Sequence, residues 1–198
     1  GIDYSVSAFS NRTDNKDYMP VFRFKAKGLT QNLDKLVDLL KEISLHTVFT
    51  NKDRLVELVE ETKAGWDMDA FRRGHTIVMH RVLSYVSPVE AFCDAGELSY
   101  YEFITDVASR IHTDAEAIGA KLAAVMKKIF TRSALTLEVT ASRDDWQTAK
   151  DTVSSWITAL PQGEKPQGLC DFGLSRKNEG IMTSGTVQYV AKGGNFRS

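Results

Sequence analysis

The sequence predicts an α+β fold, an antiparallel sheet packed against several helices. Three observations point to it: a period-2 hairpin at the start, a central stretch of helical apolar spacing, and a return to alternation at Leu135, Leu137 and Val139. The predicted order is strand, strand, several helices, strand, helix, linker, strand. That order favours antiparallel pairing over a doubly wound parallel sheet.

The elements follow in turn. Ile2, Tyr4, Val6 and Ala8 alternate with Asp3, Ser5 and Ser7, the pattern of a half-buried strand. A polar, turn-rich stretch (residues 11–17) leads to a second strand, in which Phe22, Phe24 and Ala26 alternate with Arg23, Lys25 and Lys27. Gly28 ends it. Leu33, Leu36, Val37, Leu40 and Ile43 then share one helical face. Thr50 with Asp53 makes a capping-box-like start for the next helix, whose face continues through Leu55, Leu58, Val59, Thr62 and Trp66. Helical character extends to about Val86, broken or bent near Gly65 or Gly74.

Ser87-Pro88 marks a new helix start, because proline suits the first turn, and Gly96 stops that helix. Ser99 with Glu102 and Thr113 with Glu116 read as two more capping boxes. The second opens a helix with Ile118, Leu122, Val125, Met126 and Ile129 inward. After the strand at residues 135–140, Ser142 with Asp145 starts a helix whose apolar face is Trp146, Ala149, Val153, Trp156 and Leu160. Residues 161–177 hold two prolines and three glycines and form the linker. A last strand covers Thr186 to Ala191, before Gly193-Gly194. The chain begins inside one strand and stops just after another, so both ends read as cuts. Apolar surface and open strand edges are expected there, with self-association as one consequence.

The bulk properties exclude several classes of function. With 42% hydrophobic and 26% charged residues over 198 positions, the chain suits one large domain or two small ones. A net charge of -1 gives no field that would recommend nucleic acid as a partner. No apolar run approaches the roughly 18 residues of a membrane span, so no membrane partner is expected. The opening Gly1-Ile2-Asp3-Tyr4 is neither a signal nor a transit peptide. Cys93 and Cys170 lie 170 − 93 = 77 positions apart and form no CxxC pair. Free thiols in a reducing cytoplasm are the expectation.

No catalytic, cofactor-binding or metal-binding residue emerges from spacing. His75 and His80 share a helical stretch, but five residues place them about 140° apart around the axis. Zinc pairs on a helix need a spacing of four, and neither a His-Glu-x-x-His nor its inverse is present. His46 and His112 fall near predicted helix ends, where interaction with the helix dipole is the plain reading. Asp171-Phe172-Gly173 matches a kinase triplet by chance, since the rest of the kinase set is missing. Gly193-Gly194 lacks a following Gly-Lys-Ser/Thr and reads as a tight turn, with Lys192 and Arg197 as weak candidates for an anion. Neither Cys93 nor Cys170 has a base placed by motif. Glu60, Glu61, Asp67 and Asp69, like Arg72-Arg73 and Lys127-Lys128, read as solvated helix charges. Trp66, Trp146 and Trp156 read as core.

Several segments, taken in order, carry a resemblance. They are Ser5-Val6-Ser7-Ala8-Phe9-Ser10; Ala26-Lys27-Gly28-Leu29 with residues 32–43; Phe49-Thr50-Asn51-Lys52-Asp53-Arg54-Leu55; Gly74-His75; Ser84-Tyr85-Val86-Ser87-Pro88; residues 96–103; and residues 187–196. Together they resemble the presequence-protease branch of the pitrilysin/insulinase superfamily of zinc metallopeptidases. The resemblance implies a parent with four homologous α/β domains in two halves, closing like a clamshell around a peptide. Its first domain would carry an inverted His-x-x-Glu-His zinc motif, with zinc-activated water and the motif's glutamate as general base. Residues 1–162 then correspond to most of the third domain, with 1–105 as the associated domain, and 163–198 to a linker plus the first strand of the fourth. This is a truncated, half-chamber domain from the half without zinc. The second-half Arg and Tyr that help hold substrate in the family would lie beyond Ser198, so no site residue carries over. The implied partners are the N-terminal catalytic half and, in the parent, peptide substrates. The alternative is a zinc-less family member serving as scaffold or partner subunit.

Overall fold

The structure, a computed structural model, describes residues 1–14, 16–164, 168–182 and 186–194, with the side chains of Ala70 and Phe71 left aside. It is α+β, as expected. Strands β1 (Ile2–Ser10) and β2 (Tyr18–Ala26) form a two-stranded antiparallel sheet. The helices are α1 (Leu33–Lys41), α2 (Lys52–Arg72), α3 (Gly74–Ser84), α4 (Pro88–Asp94), α5 (Leu98–Ile129) and α6 (Trp146–Ala159). The chain divides into two compact units.

The first unit comprises residues 1–5, 23–52 and 116–167. Its core is Val37, Leu40, Phe130, Trp156 and Leu160, with Ile2, Phe24, Leu45, Met126 and Val153 against it. The α1 face read from spacing is therefore the buried face, and a single π-helical turn (Glu42–His46) prolongs it. Phe24 meets Phe130 edge-on at 5.5 Å and Trp156 at 6.5 Å. Trp156 donates its indole N–H to Ser44 Oγ at 2.9 Å, and Ser44 donates onward to the Leu40 carbonyl at 2.6 Å. A buried tryptophan thus keeps its polar edge satisfied. After α6 the chain returns beside residues 132–133, with Arg132 N donating to Pro161 O and Ser133 N to Gln162 O. Gly163 follows at φ +61, and a Cβ there would overlap the Thr131 side chain. Only glycine meets both conditions.

The second unit comprises residues 6–22, 53–115 and 168–198. From α5 it buries Ile104, Val107, Ile111 and Ala115, a seam spaced three, four and four, with Ile111 fully enclosed. Helices α3 and α4 pack against one another. The α2–α3 break falls at Arg73-Gly74, where Tyr189 lies so close that a Cβ on Gly74 would strike its ring. Ser87 and Pro88 behave as read: the Ser87 hydroxyl accepts from Glu90 N, and Pro88 occupies the first turn.

Other expectations are corrected. Residues 98–129 form one continuous helix, so Thr113 with Glu116 caps nothing; the Thr113 hydroxyl instead donates to the Arg110 carbonyl at 3.0 Å. Ser99 lies inside that helix, and its hydroxyl goes to Asp94. Helix α2 opens at Lys52, so Asn51 rather than Thr50 flanks it. His112 is consequently mid-helix. Leu122, Val125, Leu58 and Trp146, expected inward, are 39%, 50%, 41% and 46% exposed. Residues 135–140 and 186–191, both expected as strands, have no regular secondary structure and sit in no ladder. The alternation expected in β1 is not kept: Tyr4 and Val6, expected inward, are 70% and 62% exposed, while Ser5 and Ser7, expected outward, are partly buried.

Candidate functional site

The densest polar constellation in the second unit is built around Arg81, one turn before the end of α3. Its Nη1 donates to Asp94 Oδ2 at 2.8 Å. Asp94 ends α4 and is buried at 3% exposure, and the Ser99 hydroxyl from the first turn of α5 donates to the same oxygen at 2.8 Å. Three helix ends therefore fix the guanidinium, and the cation sits in the last turn of its own helix, where the dipole favours it. The outer edge of the fork faces Glu179: Nε to Oε2 at 2.7 Å and Nη2 to Oε1 at 3.1 Å, a bidentate pair. The Tyr85 hydroxyl also donates to Glu179. These donors, Arg81 first and Tyr85 second, hold the Glu179 carboxyl down to about 2. Burial and then Glu179 push the Tyr85 phenol up. A recess of about 280 Å³ lies here, bordered by Arg81, Ser84, Asp94, Ser99, Phe172 and Lys177. It offers ion pairing and no activated nucleophile or proton relay.

The residues weighed from the sequence have ordinary partners. His80 Nδ1 meets Glu90 Oε2 at 2.9 Å, and the His75 ring lies 5.9 Å from Tyr189. His112 faces Glu60 at 3.1 Å in the open. Asp67 accepts from Lys63 at 2.6 Å and from Tyr101 at 2.8 Å, which lowers its pKa in that order. Arg73, read as a solvated charge, instead pairs with Glu97 and lies 5.9 Å over the Trp66 ring. Cys93 is half-buried, and burial followed by the charges of Glu90 and Glu97 raises its thiol, the opposite of an activated nucleophile. Cys170 is exposed and free. Asp171 Oδ1 accepts from Gly173 N at 2.9 Å, so the kinase-like triplet is an Asx turn with Gly173 at φ +56. Gly193 packs against Val82 and Leu83, while Arg197 lies outside the described residues.

These residues do not fit a zinc ion: among the described residues, no three of His, Cys, Asp and Glu gather as ligands. The Arg81–Glu179 pairing spans 98 positions and had no local signal in the sequence.

The first unit carries a groove of about 330 Å³. Val37, Leu40 and Trp156 line it, together with Phe24 and Ala26 from β2 and Val139 from the segment after residue 134. Its lining is evenly polar and apolar, with Lys27, Glu138 and Asp145 as the charged members.

Comparison with known proteins supplies the remaining observations. A family model for the associated domain of peptidase family M16, subfamily C, matches residues 1–107. The chain is 29% identical to Protein HypA of Clostridium perfringens over its whole length, covering 20% of that protein. It is 25% identical to Presequence protease 1, chloroplastic/mitochondrial, of Arabidopsis thaliana, with 88% of this chain and 16% of that one aligned. It is 24% identical to the mitochondrial Presequence protease of Yarrowia lipolytica, with 88% and 18% aligned. The chain thus spans a fifth or less of the relatives it matches. Among the described residues, no helix is long and apolar enough to cross a membrane.

Proposed function

The chain belongs to the family of domains associated with these subfamily C peptidases, and on that premise we propose that it is a non-catalytic segment of a zinc-dependent peptidase, forming part of the wall of a closed chamber in which peptides are degraded. The family match over residues 1–107 carries this reading. The resemblance to the presequence-protease branch of the pitrilysin/insulinase superfamily, drawn from ordered sequence segments, is borne out by that match and by the two presequence proteases. In this reading residues 1–162 are most of the third homologous domain, with 1–105 as the associated region, and 163–198 are a linker plus the first strand of the fourth. The zinc belongs to the N-terminal catalytic half of the same polypeptide, and that half and peptide substrates are the partners. The chain's own residues support the non-catalytic assignment: His80 is held by Glu90, and the Arg81 fork is closed by two carboxylates. The cytoplasmic location rests on two free thiols; two relatives carry organelle names, so fractionation of cells expressing the parent decides it.

Peptide hydrolysis by the full-length parent, with and without a chelator, tests the reading. Cleavage that disappears on chelation and returns with zinc is expected. A purified parent that holds no zinc and cleaves no unstructured peptide would replace the peptidase reading with the scaffold one. Isothermal titration of the 198-residue chain with zinc should show no stoichiometric, tight binding.

A further inference from the structure

We propose that residues 168–182 form a releasable strap, docked on the second unit chiefly through one carboxylate, Glu179, seated in a preformed Arg81–Tyr85 clamp. Contacts outside the strap hold the seat: Asp94, with 5% of its side chain exposed, and Ser99 orient the guanidinium from α4 and α5. Glu179 meets the fork in the bidentate geometry that gives an Arg–carboxylate pair its directionality.

The rest of the strap holds on weakly. Its segments have no helix or strand to hold them. Leu169, Leu174 and Ile181 are 44%, 41% and 46% exposed, and Met182 is 98% exposed. Two further attachments involve Tyr18: its hydroxyl donates to the Cys170 carbonyl at 3.2 Å, and its ring lies 6.1 Å from Phe172. A segment with few buried apolar contacts opens locally at a low free energy, and its strongest polar contact then sets how often. Opening removes the strap side of the recess beside Arg81, which Phe172 and Lys177 border, and frees the clamp to take another carboxylate. The inference stands on the second unit alone and does not depend on the peptidase reading.

Amide exchange followed by mass spectrometry, on the 198-residue chain and its Glu179→Gln variant, tests this. Glutamine keeps the shape and loses the charge, so exchange across 168–182 should accelerate at least about fivefold, with the 104–111 stretch of α5 unchanged. Arg81→Lys should do the same, because one ammonium cannot span both Asp94 and Glu179. Acceleration below about fivefold in both variants would overturn the proposal. So would equal acceleration in the strap and in α5, which would make residues 168–182 part of the cooperative fold.

Discussion

Both units have an apolar core, and the second adds an ionic centre to it. In the first, four buried apolar side chains gather around Trp156, with one short chain of hydrogen bonds through Ser44. In the second, an apolar seam on α5 is joined by an ionic centre in which one guanidinium serves a buried carboxylate on one side and a half-exposed one on the other. Apolar packing loses stability in proportion to the atoms removed. An ion pair with a buried member loses it asymmetrically, because the partner left behind is a desolvated charge.

Substitutions sharpen that contrast. Trp156→Ala should have the largest effect, about 4 kcal/mol from cavity formation, since the Ser44 hydroxyl keeps its bond to the Leu40 carbonyl; denaturant unfolding of the chain would measure it. Arg81→Ala should follow at about 3 kcal/mol, since Asp94 stays buried without its countercharge. The diagnostic is the double variant Arg81→Ala with Asp94→Asn, which should recover part of the loss; no recovery would mean the centre stabilises by packing, like the first unit. Gly163→Ala should cost about 2 kcal/mol, combining a left-handed backbone with overlap on Thr131. Thermal unfolding checks it; pairing it with Thr131→Gly, which removes both the Cγ2 and the Cβ that the new atom would overlap, should leave the backbone term, whereas Thr131→Ala keeps the Cβ and should relieve the overlap only in part.

The smallest effect is a response to acid. The groups facing Glu179 are Arg81 from α3, Tyr85 just past its end, Asp94 beyond them from α4, and Lys177 from the strap. Since the folded Glu179 carboxyl lies below its ordinary value of 4.5, at about 2, its contribution is present above about pH 4.5 and fades as pH falls toward 2. Exchange of the strap, corrected for intrinsic rates, should therefore rise across that window and lose the rise in Glu179→Gln.

Local features were legible in the sequence, and long-range ones were not. Val37 and Leu40 share the predicted face because helical spacing is a property of adjacent turns. Ser87-Pro88 was readable because a cap is local. Thr113 misled because a hydroxyl followed by a glutamate also fits a helix interior, where the hydroxyl bonds back to a carbonyl in the preceding turn. Residues 135–140 alternate like a strand, but alternation fixes the side-chain period and not a ladder partner. Trp146 has the same spacing logic as Trp156 and the opposite outcome, because only the latter meets Phe24 and Phe130. Glu179 lay in a polar stretch with nothing local to mark it; its partner comes from a helix 98 positions earlier.

Gly163 also has a genetic consequence. Every missense change of one base in a glycine codon introduces a residue with a Cβ, and here a Cβ meets Thr131. Position 163 therefore has no neutral neighbour in codon space while Thr131 stands. Because the Thr131 Cβ as well as its Cγ2 stands in the way, a smaller side chain at 131 does not by itself open the position, and 163 should stay glycine wherever residue 131 carries a Cβ.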